Sequence, residues 1–143
     1  MANKMCVFCG DKLGFFQDAT VTCGSTVQNV CKTCEKELRE LDELEICRRA
    51  LSRGLAENPG RIQERIELIT EAENRRPKCL RCGEKLTFMK VQDLDNSPMR
   101  DNMFQETFGV LPAYCNACGK YEFYKPSVVL KDKYIAYLMK KDT

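Results

Sequence analysis

Four pairs of cysteines are the residues of this chain best suited to chemistry, and two residues separate the members of each pair. Two sulfurs at this spacing can bind one metal ion from a single turn, and eight thiolates are what two closed, tetrahedral four-cysteine zinc sites require. Histidine, the other common zinc ligand, is absent from the sequence. The pairs are Cys6 with Cys9, Cys31 with Cys34, Cys79 with Cys82, and Cys115 with Cys118. We therefore predict two structural zinc ions per chain.

The residues that follow each pair assign the eight cysteines to two sites. A glycine directly follows three of the pairs, as expected where a turn at positive φ aims backbone N–H groups at the sulfurs. Cys34 is followed instead by strong helix formers, so its pair should lie on the first turn of a helix. A glycine turn, a hairpin and a helix start make a treble-clef zinc finger, whereas two facing glycine turns make a zinc ribbon. We assign Cys6, Cys9, Cys31 and Cys34 to the first site and Cys79, Cys82, Cys115 and Cys118 to the second.

Two other arrangements of the paired cysteines are compatible with the sequence. One takes a pair from each half of the chain for each metal, which requires much longer loops to close. The other joins the cysteines in structural disulfides, which a reducing compartment disfavours. We expect a cytoplasmic protein, because the N-terminal residues lack an apolar leader and no stretch is apolar enough to span a membrane.

The predicted fold is small, α+β and metal-stabilised, because neither half of a chain of 143 residues can build a large core. The predicted order is a treble-clef zinc finger in 1–40, a helical hairpin connector in 41–76, a three-stranded zinc ribbon in 77–126 and a short C-terminal helix in 127–143.

In the first half, β-branched residues on both sides of Gly24-Ser25 predict a hairpin with strands at 19–23 and 26–30. Apolar residues at steps of three or four predict one helix from Lys32 to about Glu57. A second helix should begin at Pro59, with Asn58 as its cap, and run to about Asn74. The apolar stripes of the connector could pack on each other, on a zinc module or on a second copy of the chain, so a homodimer is one hypothesis.

In the second half, the ribbon strands are predicted at 86–92, 110–114 and 120–124. The intervening loop, 93–109, has a possible helix start at Ser97-Pro98 and several methionines and phenylalanines, so we expect either a small core or a partner site there. A closing helix at 130–141 should pack on the ribbon or on the connector.

Two cysteines lie outside the pairs. Cys23 is placed at the end of the first hairpin strand and Cys47 on the apolar stripe of the long helix. Neither has a cysteine partner at close spacing, so we expect both to be small core residues. A weaker alternative gives one of them a redox or metal-sensing role.

The charge balance weighs against strong non-specific binding to nucleic acid. The formal net charge is +2. Eight thiolates and two zinc dications would shift it by −4, to −2. The best candidate phosphate-binding patch is a short basic run before the ribbon, made of Arg75, Arg76, Lys78 and Arg81. Its simpler interpretation is a solvated linker that complements a helix end.

Two stretches resemble known families. Residues 6–40 resemble treble-clef domains of uncharacterised bacterial proteins, which begin Cys-x-x-Cys-Gly-x-Lys-Leu and end in Cys-x-x-Cys followed by a Lys/Glu/Leu-rich helix. Residues 79–126 are similar to uncharacterised bacterial zinc-ribbon proteins, whose second cysteine pair runs into an aromatic strand such as Tyr121–Tyr124. The resemblance implies zinc ligands at the eight paired cysteines and no particular activity.

Two classes of function are compatible with these features. We expect no enzyme, because a catalytic zinc keeps an open position and commonly uses histidine, and no phosphate-binding glycine loop or nucleophile motif occurs. A protein-interaction or adaptor role with an unidentified protein partner fits the near-neutral charge and the apolar stripes. The alternative is a nucleic-acid-binding zinc ribbon that uses the basic run, with Tyr121 and Tyr124 stacking on bases.

Overall fold

The structure, a computed structural model, describes residues 4–16, 18–93 and 109–143. In these residues it is a small α+β fold with two small sheets and five helices. The chain divides into two compact units, Met1–Thr70 and Glu71–Thr143. Residues of the predicted connector 41–76 occur in both units. The predicted helix start and partner site in the loop 93–109 lie outside the described residues, apart from the two ends of that loop.

The first unit contains a β-hairpin of β1 (Asp18–Cys23) and β2 (Thr26–Cys31), which confirms the predicted hairpin. The strands are antiparallel, and Cys23 pairs with Thr26 across the turn. Gly24 in this turn has φ +62°, and a Cβ there would lie 3.0 Å from the Cβ of Arg65. Two features of this position therefore require glycine: the positive φ of the turn and the close approach of a helix.

The prediction of a single helix from Lys32 to about Glu57 is wrong, because the chain forms two helices there. These are α1 (Lys32–Leu38) and α2 (Glu43–Ser52). Asp42 ends the turn between them, and its carboxylate accepts a hydrogen bond from the N–H of Glu45 at 2.8 Å. This N-cap satisfies a free N–H group at the start of α2 and allows the chain to change direction.

The helix predicted to begin after Asn58 is confirmed as α3 (Pro59–Asn74). Proline is tolerated at the first helical position because the N–H it lacks would have had no partner there. The Asn58 carbonyl accepts from the N–H of Arg61 at 3.0 Å, which starts the helix. Asn58 itself has φ 51°, a conformation that asparagine adopts more readily than most residues.

Two small apolar clusters form the core of the first unit. One surrounds the first cysteine pair and contains Cys6, Val30 and Leu38. The other joins the hairpin to α2 and α3, and its buried members are Val7, Cys23, Cys47, Ala50 and Ile62. The helix stripes behind the homodimer hypothesis thus bury Cys47 and Ile62 inside the first unit.

A buried amide side chain joins the hairpin to the segment before α3. Gln28 is fully buried, its Nε2 donates to the Glu57 carbonyl at 2.8 Å, and its Oε1 accepts from the Glu57 N–H at 2.9 Å. The same Nε2 also donates to Thr26 Oγ1 at 3.0 Å. Gln28 therefore satisfies both backbone groups of Glu57, as buried polar groups require.

The second unit is built on β5 (Gly109–Cys115), which pairs antiparallel with three short strands. These are β3 (Leu86–Phe88), β4 (Gln92–Asp93) and β6 (Tyr121–Tyr124). The first ribbon strand, predicted as a continuous 86–92, is therefore interrupted at 89–91. Side chains alternate along β6, since Tyr121 and Phe123 are exposed while Glu122 and Tyr124 are half-buried.

The closing segment contains two helices, α4 (Pro126–Val129) and α5 (Lys133–Asp142). The helix predicted at 130–141 corresponds to α5, whereas α4 was not predicted. Leu138 is buried in one cluster with Leu86, Phe88 and Leu111 from the sheet, so the closing helix packs on the strands.

A group of charged residues ties the end of α3 to α5. Arg76 pairs with Glu73 at 2.9 Å and also with Asp142, whose carboxylate accepts from the Phe88 N–H at 2.9 Å. The pKa of Glu73 falls to about 2, although burial would raise it. The main cause is the hydrogen bond from Arg76, and Lys141 lowers the pKa further. These charges are paired and hydrogen-bonded, as partly buried charges must be.

We predict that Gln28→Ala lowers the free energy of unfolding by roughly 1–3 kcal/mol, because both backbone groups of Glu57 lose their buried partner. Denaturant unfolding of the metal-loaded protein measures this difference. Gln63→Ala is the matched control, since the hydrogen bond from Gln63 to Glu67 within α3 is exposed to solvent. Equal stability of the two variants would show that the Gln28 hydrogen bonds are not needed.

Candidate metal centres

The eight paired cysteines form two groups of four, one in each unit. Within each group all four sulfur atoms lie within 4.8 Å of one another. The first group is Cys6, Cys9, Cys31 and Cys34, and the second is Cys79, Cys82, Cys115 and Cys118. Each group is therefore formed by cysteines from one half of the chain, and neither group takes cysteines from both halves.

Three of the four pairs share one turn geometry. The N–H of the following glycine donates to the carbonyl of the first cysteine at 2.8–2.9 Å in every case. The glycine φ is 82° at Gly10, 79° at Gly83 and 73° at Gly119, a region that side chains disfavour. The first cysteine's N–H donates back across the turn, to the carbonyl of Asp11, Glu84 or Lys120. The glycine signal in the sequence therefore reports a repeated local structure.

The fourth pair lies at the start of α1, as predicted. Cys31 is the N-cap residue, and its sulfur accepts from the Cys34 N–H at 3.4 Å. The Cys31 N–H donates to the Cys6 sulfur at 3.3 Å. The hairpin brings these residues together, because β2 ends at Cys31 and the Val7 N–H donates to the Asn29 carbonyl at 3.0 Å.

Separations between the sulfurs fit a metal ion better than disulfide bonds. Sulfurs of different pairs lie 3.8 Å apart for Cys9 and Cys31, and 3.6 Å apart for Cys79 and Cys118. A Zn–S distance of about 2.3 Å in a tetrahedron places its sulfurs about 3.8 Å apart, whereas a disulfide requires about 2.05 Å. All ten cysteines lie in the described residues, and all are free thiols. The donor set therefore fits a closed, structural site of the zinc type.

Backbone N–H groups favour the thiolate form of the first cysteine in each glycine turn. Burial would raise the pKa of Cys6, but N–H donors outweigh it and lower the pKa to about 7. At Cys79 the N–H of Cys82 is the main cause, and the pKa again falls to about 7. The Cys118 N–H likewise lowers the pKa of Cys115. Thiolates held by N–H donors are prepared to bind a cation.

The two four-cysteine groups, called the metal groups from here on, are part of the small cores. Cys6 is fully buried beside Val30 and Leu38, and Cys79 and Cys115 are buried beside Leu86. A metal bound at these sulfurs would therefore connect the strands and turns that meet there. Such binding contributes roughly 10–16 kcal/mol to folding in isolated zinc peptides.

Two residues of the basic run form ion pairs within the second unit. Arg75 pairs with Glu71 at 2.6 Å and lies over the Tyr134 ring, 4.6 Å from its centroid. The side chain of Arg76 is only 8% exposed and pairs with two carboxylates. Two of the four cations proposed for phosphate binding therefore already have anionic partners.

Tyr124 is half-buried, so the prediction that it is exposed for stacking on bases is wrong. Its ring packs against Phe88 with 6.1 Å between centroids, and its hydroxyl donates to Glu122 at 2.8 Å. Burial, followed by the nearby Glu122 carboxylate, raises the pKa of Tyr124 to about 12. Tyr121, by contrast, is 55% exposed.

Cys23 and Cys47 are both fully buried, which confirms that they are core residues. Both belong to one apolar cluster of the first unit, which their positions in the sequence did not predict. They are far apart in sequence, so no spacing rule signals the shared cluster; only the placement of both on apolar faces hinted at a shared core.

Comparisons with known proteins give no relative: no family model, curated protein or solved structure matches the chain. Within the described residues, none of the helices combines the length and the apolar character needed to cross a membrane.

We predict that Cys34→Ser and Cys118→Ser each remove one metal ion and leave the other bound, because each group is completed within its own unit. Metal content by elemental analysis, combined with native mass spectrometry, measures the stoichiometry. The two variants are matched controls for each other. Loss of both ions from either variant would contradict two independent sites.

Proposed function

We propose that this protein is a non-enzymatic zinc-binding adaptor, in which two structural four-cysteine zinc sites support a surface that binds a protein partner. The observation that carries this proposal is an exposed aromatic surface on the sheet of the second unit. We call it the aromatic face, and it consists of Tyr114, Tyr121 and Phe123.

Several observations support a treble-clef finger in the first unit. The glycine turn at Cys6–Cys9, the β1–β2 hairpin and the helix start at Cys31–Cys34 follow one another in the order of that fold. The hairpin lies between the two ligand pairs in sequence. A zinc ion held by all four sulfurs would fix the turn to the start of α1.

The second unit supports a zinc ribbon. Both of its cysteine pairs are glycine turns, and each turn lies next to strands of one antiparallel sheet. Leu86 follows the first turn and pairs with Cys115, the first cysteine of the second turn. The two turns therefore face each other across β3 and β5.

The closed donor sets support a structural rather than a catalytic role for the metal. Each group offers four cysteine sulfurs, which fill a tetrahedral zinc ion completely. A catalytic zinc needs a position for water or substrate. On this proposal the zinc ions act only by shaping the protein.

Two of the three residues of the aromatic face are exposed, and the third, Tyr114, is half-buried. Phe123 is 66% exposed and Tyr121 is 55% exposed, while the Tyr114 and Tyr121 rings lie 6.1 Å apart. Tyr114 and Tyr121 are cross-strand partners, so their side chains project from the same side of the sheet. Clustered exposed aromatic residues are typical of protein-binding hot spots.

Nucleic-acid binding is the second candidate, because exposed aromatic rings can also stack on bases. Its electrostatic support is weaker than the sequence suggested, since two of the four cations of the basic run, Arg75 and Arg76, are paired with carboxylates of the same unit. Lys120 next to the aromatic face also lies near a carboxylate, that of Glu122, at 3.7 Å. We therefore rank a protein partner first.

We predict that the double variant Tyr121→Ser/Phe123→Ser loses a protein partner that the unsubstituted protein captures in stoichiometric amount. Two hot-spot residues at about 2 kcal/mol each correspond to a fall in affinity of more than 100-fold. The partner captured from a lysate of the source cells is purified, and its affinity is measured by calorimetry. Unchanged zinc content in the variant shows that the scaffold is intact.

Val128→Ser is the matched control, since Val128 is 59% exposed in the same unit but lies on α4. It should leave the affinity unchanged. If only single-stranded nucleic acid binds, and the double variant loses it, the second candidate replaces the first. Equal partner binding by the double variant and the unsubstituted protein would refute the role of the aromatic face.

A further inference from the structure

The β6 strand, Tyr121–Tyr124, forms an edge of the sheet in the second unit. Among the described residues it pairs only with β5, so one side of its backbone has no neighbouring strand. An edge strand presents unpaired N–H and C=O groups, and another extended chain can pair with them. We call this side of β6 the open edge.

The pairing with β5 determines which backbone groups face the open edge. The Cys115 N–H donates to the Lys120 carbonyl at 2.8 Å, so the backbone of Lys120 faces β5. Backbone groups alternate in direction along an antiparallel strand. The N–H and C=O groups of Tyr121 and Phe123 therefore face the open edge, while those of Glu122 face β5.

The residue opposite Phe123 agrees with this direction. Pro112 lies opposite Phe123 in the register and has no N–H to donate to it. The Pro112 carbonyl instead accepts from the Met89 N–H at 2.9 Å, next to β3. Because β3 and β6 pair with opposite sides of β5, this carbonyl points away from β6.

The two residues whose backbone groups face the open edge also belong to the aromatic face. Tyr121 and Phe123 both have exposed side chains. The side chains of an added strand that lie opposite these two residues would project from the same side of the sheet, because cross-strand neighbours share a face. An extended segment with apolar residues at alternate positions would therefore contact the rings and pair with the backbone together.

Given the adaptor function proposed above, on which this inference rests, we propose that the partner contributes an extended peptide segment that pairs with the open edge of β6 as an added strand. Main-chain hydrogen bonds at Tyr121 and Phe123 supply affinity, and the aromatic face selects apolar residues at alternate positions of the segment.

Charges along β6 favour a different chain over a second copy of this one. If two β6 strands paired through Tyr121 and Phe123 of both copies, the two Glu122 side chains would lie directly opposite each other. Like charges in that position destabilise a sheet. Lys125, directly after β6, is exposed and forms no ion pair within the described residues, so an acidic residue at one end of the segment would complement it.

Amide hydrogen exchange followed by NMR tests strand addition on the zinc-loaded full chain. The probe is a synthetic peptide from a phage-displayed library of random linear peptides, selected on this chain and not bound by Tyr121→Ser/Phe123→Ser. We expect the selected sequences to alternate apolar and polar residues. At saturating peptide, exchange of the Tyr121 and Phe123 N–H groups should slow at least several-fold, whereas that of Glu122, which faces β5, should change little.

Phe123→Pro and Phe123→Ala separate the backbone from the ring. Both variants lose the ring, but only proline also removes the N–H that faces the open edge, at a position where edge strands tolerate proline. The proline variant should bind the peptide about ten-fold more weakly than the alanine variant, because it lacks one more hydrogen bond. Zinc content shows whether each variant is folded, and the exchange experiment on the unsubstituted chain decides the question if one is not.

Three results would overturn strand addition. The first is slow exchange of the Tyr121 and Phe123 N–H groups without peptide, since another part of the chain or a second copy would then cover the open edge. The second is peptide binding that needs both side chains but leaves their N–H exchange unchanged, which would retain the adaptor function. The third is a selection without any peptide that depends on Tyr121 and Phe123; capture of the protein partner then decides the adaptor function separately.

Discussion

The close approach of four sulfurs in each unit is the constraint on which the rest of the structure depends. Four cysteine sulfurs lie within 4.8 Å of one another in each group, and N–H donors favour the charged form of Cys6, Cys79 and Cys115. Thiolates this close repel one another strongly unless a cation lies among them. A divalent metal ion at each group would turn this repulsion into a strong cross-link within the unit.

Each core is small and is organised around its metal group. In the first unit Cys6 is surrounded by Val30 and Leu38, and a second cluster joins the hairpin to α2 and α3. In the second unit Cys79 and Cys115 belong to the cluster that Leu138 closes. Clusters of this size stabilise a fold only modestly. Individual hydrogen bonds, such as those between Gln28 and Glu57, therefore contribute a larger share of the stability.

What could be predicted from the sequence is what depends on short spacing. The glycine after Cys9, Cys82 and Cys118 identifies turns whose hydrogen bonds span only a few residues. The hairpin about Gly24 is local in the same way. Apolar periodicity, by contrast, continues through the break before Asp42, because both helices turn apolar residues to the same core.

What could not be predicted depends on contacts between distant residues. The meeting of Cys23 with Cys47 requires the hairpin and α2 to be packed first. The carboxylates that pair with Arg76 come from the last turn of α3, just before it in sequence, and from α5 near Thr143, so Arg76 looked more available in the sequence than it is. Tyr121 and Tyr124 both looked available for stacking in the sequence, but they lie on opposite sides of β6, and Tyr124 packs against Phe88.

We propose that two metal ions, each held by four thiolates, maintain this fold. Native mass spectrometry of the protein reconstituted with zinc tests this role most directly, with chelation followed by circular dichroism on the same sample. We expect two zinc ions per chain and loss of ordered structure in both units when they are removed. A chain that binds one ion or none, or that keeps its fold without metal, would contradict this role of the metal.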